Sequence, residues 1–172
     1  MELLLQGLRA AAEPTRLRLL ALCAHAELTV TELTQILGQS QPRVSRHLKL
    51  LCDAGLLERH REGTCAYYRL ADTSDCAHLA RTLIDLVPDC DDGLARDLSR
   101  LSAIKQTRAA TAAEYFRANA DRWDEIRSLY VPEQEVEAAL LKVIGDQPIN
   151  DFLDIGTGTG RILEVFAPRI NR

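Results

Sequence analysis

The stretch "QSQPRVSRHLKLLCDAGLL", residues 39–57, decides how the chain is read. Ser40 is a suitable N-cap, and Pro42 falls in the first helical turn, where a missing N–H breaks no bond. Gly55 suits the end of a helix. At about 100° per residue, Val44, Leu48 and Leu51 fall on one side and must face a core. Arg46 lies almost opposite, flanked by Arg43 and Lys49, while Ser45 and His47 project to the sides. A short helix with one apolar edge and a basic outer face suits a DNA major groove. Arg donates bidentately to guanine edges, and Lys or Ser holds phosphates.

Both flanks extend this pattern. Upstream, "LTVTELTQILG" (28–38) offers Thr29 or Thr31 as a cap, Glu32 in the first turn and Gly38 as a terminator. Two short helices joined by a glycine-containing turn form a helix-turn-helix. Downstream, "LLERHREGTCAYYRL" (56–70) alternates around Glu62-Gly63 and carries the strand formers Tyr67 and Tyr68. A hairpin directly after a helix-turn-helix makes a winged helix. Its Arg59, Arg61 and Arg69 are placed for phosphates or the minor groove.

The rest of the chain reads mainly as helix. Residues 2–12 contain no breaker, and Pro14 opens a helix with Leu17, Leu20 and Ala21 on one stripe. "TSDCAHLARTLIDLV" (73–87) places Leu79, Leu83, Leu86 and Val87 along a further helix closed by Pro88. From Gly93 to about Tyr130 neither proline nor glycine interrupts, which predicts one long helix or two joined ones. "VPEQEVEAALLKVIGDQP" (131–148) is a helix between prolines, "INDFLDIG" (149–156) a buried strand, and "GRILEVFA" (160–167) a helix start.

The formal net charge of the 172 residues is −4, which taken whole speaks against nucleic acid. The charge is unevenly divided. Residues 1–70 hold nine Lys/Arg against seven Asp/Glu, whereas residues 71–172 hold twelve against eighteen. The basic part is local and coincides with the helix-turn-helix. No stretch approaches the length of about 20 apolar residues that a membrane span requires. The start has no signal-peptide pattern, so a cytoplasmic location is expected. Five widely spaced cysteines, none in a C-x-x-C pair, argue against a disulfide framework or a zinc finger.

On "EPTRLRLLALC", on "LTVTELTQILGQSQPRVSRHLKLLCDAGLLERHREGTCAYYRL" and above all on "SRHLKLLCDAGLL", residues 1–88 resemble the ArsR/SmtB family of winged-helix bacterial repressors. The resemblance implies a homodimer, with the first helix and the helix at 73–87 at its interface. It implies operator contacts from Ser40, Gln41, Arg43, Ser45, Arg46 and His47. Metal-sensing members of the family carry a C-x-C pair where this chain has Thr29 and Thr31, and hydroxyls are poor ligands for soft metals. Of the family's second metal site only Asp75 and His78 are available, and no metal ligand set is expected.

One motif lies outside this frame. "DFLDIGTGTGRILE" (151–164) sets Gly156, Gly158 and Gly160 at a strand-to-helix turn after Asp154. The dinucleotide fingerprint needs glycine where Arg161 stands, which disfavours a Rossmann site. The motif resembles instead the first motif of class I S-adenosylmethionine (SAM)-dependent methyltransferases, and "EYFRANADRWDEIRSLY" (114–130) is similar to the segment preceding it. That resemblance implies that Asp154, Gly156, Gly158 and Gly160 meet the methionine and ribose moieties. The ribose-binding acid belongs about 20 residues further on, past Arg172.

The expectation is thus a mainly α chain. It has a winged helix-turn-helix with a two-stranded wing (1–88), a long helical linker (89–130) and one βα unit of a truncated α/β methyltransferase-like domain (131–172). Its function is that of a homodimeric operator-binding repressor without catalytic residues. It is read as a fragment of a longer fusion whose complete form responds to SAM or S-adenosylhomocysteine. The alternative is a small-molecule methyltransferase whose N-terminal domain only dimerises.

Overall fold

The computed structural model describes residues 1–88, 91–119, 122, 132–145, 149–156 and 160–170. The chain divides into two compact units, Met1–Arg108 and Ala109–Arg172. The division falls within the long helix at 92–119.

The first unit follows from its caps and apolar stripes. Helix α1 spans Glu2–Ala11, and α2 spans Pro14–His25, opened by Pro14 and capped by Glu13, whose carboxylate accepts from the Arg16 N–H at 2.9 Å. A two-residue strand β1, Leu28–Thr29, leads into α3, Val30–Leu37. There Thr29 and Glu32 form a reciprocal capping box. Gly38 ends α3 in the left-handed region at φ 64°, and α4 runs Gln41–Asp53 from Ser40. Strands β2, Leu57–Glu62, and β3, Cys65–Leu70, form a hairpin in which Glu62 pairs with Cys65 across Gly63-Thr64. The sequence did not reveal β1, which pairs with β3 through Leu28–Tyr68 and Thr29–Tyr67. The sheet has three strands in the order β1-β3-β2, one more than the expected two-stranded wing.

The core gathers Leu19, Leu20 and Leu22 of α2, Leu33 and Ile36 of α3, and Val44, Leu48 and Leu51 of α4 around Leu28 and Leu56. All ten are shielded from solvent, and each contributes roughly 1.5–3 kcal/mol. Helix α5, Ala77–Asp85, starts four residues later than expected. Ser74 donates to the Gly55 carbonyl at 2.6 Å and Thr73 to Glu58 at 3.1 Å, so these side chains tie the segment to the wing base and leave it outside the helix. At Gly7, α1 approaches α5 so closely that a Cβ would come within 2.6 Å of Leu79 Cδ2. Helix α6, Asp92–Asn119, begins in this unit, and Leu98, Leu101 and Ile104 pack on the core.

In the second unit α7 spans Glu133–Ile144 and α8 spans Arg161–Phe166, followed by a 3-10 turn at Ala167–Arg169. The buried strand expected at 149–156 does not form. Ile149 makes an isolated parallel bridge to Ile170, residues 151–154 are irregular, and Leu153 and Ile155 are 83% and 87% exposed. An apolar run becomes a strand only beside a partner ladder, and no described strand lies beside this one. Phe166 is buried against Phe152 at 5.4 Å between ring centroids.

Candidate nucleic-acid interface

Helix α4 is divided lengthwise. Val44, Leu48 and Leu51 are fully buried, whereas Arg43, Arg46 and Lys49 are exposed around the opposite side, Ser45 is exposed beside them, and Ser40 and Gln41 are exposed at the helix start. The apolar spacing of i, i+4 and i+7 forces this division and turns three cations outward together. Ser40 makes no side-chain cap bond to α4. The N-terminal amides and the helix dipole of α4 therefore add an anion-attracting end to the basic face.

His47 is placed differently from the rest of the set. It is half-buried, and its Nδ1 lies 3.9 Å from Glu13 Oε2 at the start of α2, too far for a hydrogen bond. Burial lowers its pKa, Glu13 opposes that, and Arg16, Arg43 and Arg46 reinforce it. The imidazole is thus neutral near pH 7, and its contact with Glu13 is not an ion pair there. The Glu13 carboxyl is lowered: burial would raise it, but N–H bonds from Arg16 and Thr15 outweigh that.

The wing separates its three arginines. Cross-strand pairs share a face, so Arg59 (opposite Tyr68) and Arg61 (opposite Ala66) stand together, both exposed. Arg69 lies on the other face, opposite Glu58. It donates to Glu58 at 3.0 Å and lies near Asp72 and Glu27 at 3.7 and 3.8 Å. The neighbouring His60 stacks on Tyr67 and reaches Glu27 at 3.3 Å. Glu58 is the organiser of this corner, since its other oxygen accepts from Asp72 N and Thr73. Arg69, which the sequence reading placed among the DNA contacts, is thus paired with acidic side chains on the face away from Arg59 and Arg61.

Thr29, at the position where the resemblance implies a metal ligand in sensing members, commits its hydroxyl to Glu32 at 2.8 Å. Among the described cysteines Cys23 and Cys76 are buried, Cys52 is half-buried and Cys65 is exposed. Burial pushes the Cys52 thiol up to about 11. Among the described residues no group of three or more His, Cys, Asp or Glu is placed to hold a metal ion.

Of the glycine-motif residues, Gly158 lies outside the described residues. Gly156 and Gly160 adopt φ 84° and 85°, values that favour glycine. A Cβ on either would meet nothing within 4 Å, so no surrounding wall gives the turn the form of a cradle. Asp154 precedes an irregular, exposed segment, and α8 is only six residues long. These described residues do not assemble a site that fits SAM.

Comparison with known proteins points to the same part of the chain. Residues 13–59 match the model of the bacterial regulatory protein arsR family. The chain is 43% identical over 77 residues to a probable mercury resistance operon repressor of Streptomyces lividans, covering 44% of this chain and 62% of that protein. It is 50% identical over 60 residues to an arsenic resistance transcriptional regulator of Pseudomonas putida, covering 34% of this chain and 47% of that protein. It thus spans roughly half to three-fifths of these relatives' own lengths. A solved homodimeric winged helix-turn-helix domain of Mycobacterium bovis, described as a possible ArsR-family regulator, shares 33% identity over 48% of this chain and 75% of that one, with a TM-score of 0.44. Residues 13–59 thus match the arsR family model of bacterial regulatory proteins, and the structure sets them in a winged helix.

Proposed function

We propose that the chain is a sequence-specific DNA-binding transcriptional repressor that works as a homodimer in the cytoplasm. The observation that carries this reading is the outer face of α4. Arg43, Arg46 and Lys49 project from a helix whose other side is locked in the core. In this reading Ser40, Gln41, Ser45 and Arg46 read base edges, Arg43 and Lys49 hold phosphates, and Arg59 and Arg61 extend the footprint from the wing. His47 supports the helix from its half-buried position beside Glu13 and is assigned no base contact. Dimerisation is supported by the outer face of α1, where Leu3, Leu4, Leu5 and Leu8 are exposed, and by exposed Leu86 beyond the end of α5. Two copies would present two α4 helices to successive major grooves.

Repeated selection of duplexes from a random-sequence pool by the full chain tests the reading. The expected result is enrichment of one motif with two-fold symmetric half-sites about 10 base pairs apart. Recovery of the starting sequence distribution would overturn it.

A second reading, for a longer protein, rests on the resemblance of the glycine motif at Asp154, Gly156, Gly158 and Gly160 to a SAM-type motif, although the described residues by themselves form no cradle. There SAM or S-adenosylhomocysteine would act as effector, or SAM as the substrate of a methyltransferase. For this chain we assign no catalytic step. Calorimetry of the longer protein with SAM is the test, and an absence of heat would remove both forms of the idea.

A further inference from the structure

We propose that α6 is a strut that sets the attitude of α3 within the helix-turn-helix, with Arg100 and Arg108 as positioning residues for DNA reading. This rests on the DNA-binding reading above.

Both ends of α3 are held from α6. Arg100 Nη1 donates to the carbonyl of Ile36 at 2.6 Å, in the last turn of α3, where carbonyls lack helical partners. At the other end Arg108 grips Glu32 through Nε at 2.7 Å and Nη2 at 2.5 Å. The same carboxylate closes the capping box, accepting from Thr29 N and Oγ1, both at 2.8 Å. Arg108 also donates to the Glu27 carbonyl at 3.2 Å, and Lys105 to the His25 carbonyl at the end of α2 at 3.0 Å. One helix thus satisfies one C-terminal carbonyl each of α2 and α3 and anchors the N-cap of α3. Lys105 and Arg100 lie where the dipoles of α2 and α3 are negative, whereas Arg108 is held at the positive end of α3 by the Glu32 carboxylate.

These ties are rigid for a physical reason. The bond to Glu32 is a two-pronged guanidinium–carboxylate pair, which fixes angle as well as distance. Leu98, Leu101 and Ile104 seat α6 on the core between the ties. Arg100 reaches across the turn, since its Nη1 lies 3.9 Å from where a Gly38 Cβ would stand. Gly38 joins α3 to the segment leading into α4, so a tilt of α3 changes how the basic face of α4 is presented. Base-edge contacts tolerate little tilt, whereas phosphate attraction tolerates much.

The test compares the full chain with Arg100→Ala/Arg108→Ala and with the milder Arg108→Lys. Affinity is measured by anisotropy on a duplex selected by the wild-type chain and on a scrambled duplex of equal length. For the double variant the selected duplex should bind about tenfold more weakly while the scrambled duplex binds unchanged. Amides at the end of α3, Gly38 included, should exchange faster with helix content unaltered. Arg108→Lys keeps the charge and loses the fork, and should fall between. Equal affinity of double variant and wild type for the selected duplex would overturn the strut. So would an equal loss on both duplexes, which marks general destabilisation. If the wild-type chain fails to distinguish the two duplexes, the DNA reading itself fails, and the strut with it.

Discussion

Arg18 and Asp97, 79 residues apart in sequence, form a two-pronged ion pair, Nε to Oδ2 at 2.6 Å and Nη2 to Oδ1 at 2.7 Å. Asp97 is 1% exposed and Arg18 about a quarter exposed, so the carboxylate depends on the guanidinium, which still reaches solvent. The Asp97 bond in turn raises the Arg18 pKa, against a smaller cost of burial. The pair links α2 to α6 below the core.

The asymmetry predicts unequal mutational costs. Arg18→Met strands a buried carboxylate and should destabilise by about 3 kcal/mol in urea unfolding. Asp97→Asn leaves a cation with access to water and should cost about half as much. Arg18→Met with Asp97→Leu should recover most of the loss, since a well-packed apolar pair can replace a buried ion pair. Equal costs for the two single variants would contradict this account of the pair.

His47 gives a pH signature. Its folded pKa lies below the ordinary value of about 6.5, with burial the largest cause. Between the two values the unfolded chain binds more protons. Stability from this group is therefore complete above about pH 6.5 and declines as pH falls through the window. Imidazole shifts in NMR should give His47 a midpoint below 6.5, and His47→Gln should flatten the pH dependence of unfolding between about pH 7 and pH 5. A midpoint above 6.5 would show that Glu13 dominates burial.

The α1 surface yields an association prediction. Leu4→Glu with Leu8→Glu places two charges on the exposed apolar face while leaving the buried Gly7 and Ala11 untouched. Sedimentation equilibrium should show self-association weakened by about a hundredfold or more, with the helix content of the chain retained. Unchanged association would place the dimer contact elsewhere.

Helix α4 was legible because three independent signals agreed: the apolar spacing of Val44, Leu48 and Leu51, Pro42 at its start, and glycines at 38 and 55. The β1 strand was invisible because two residues carry no periodicity, and only the pairing of Leu28 with Tyr68 defines it. Arg100, Lys105 and Arg108 carried no signal in the sequence, since their partners are mostly backbone carbonyls that leave no trace there. The acidic pairing of Arg69 was hidden for a similar reason, because composition records charge but not which face of a hairpin holds it. "INDFLDIG" has the apolar content of a strand, yet Leu153 and Ile155 stay exposed without a ladder to join. Local pattern set the helix-turn-helix; the cross-chain ties needed the fold.

The central claim, that the basic face of α4 reads DNA, is tested most directly by comparing Arg46→Ala with Arg69→Ala on a duplex selected by the wild-type chain. Arg46 is exposed at the middle of that face, whereas Arg69 is held by Glu58 on the far face of the wing. Arg46→Ala should weaken binding about 10- to 100-fold and relax selectivity at one base pair per half-site. Arg69→Ala should bind within about twofold of wild type, since it removes only an exposed ion-pair cluster. Wild-type affinity in Arg46→Ala, or a larger loss in Arg69→Ala, would contradict the account.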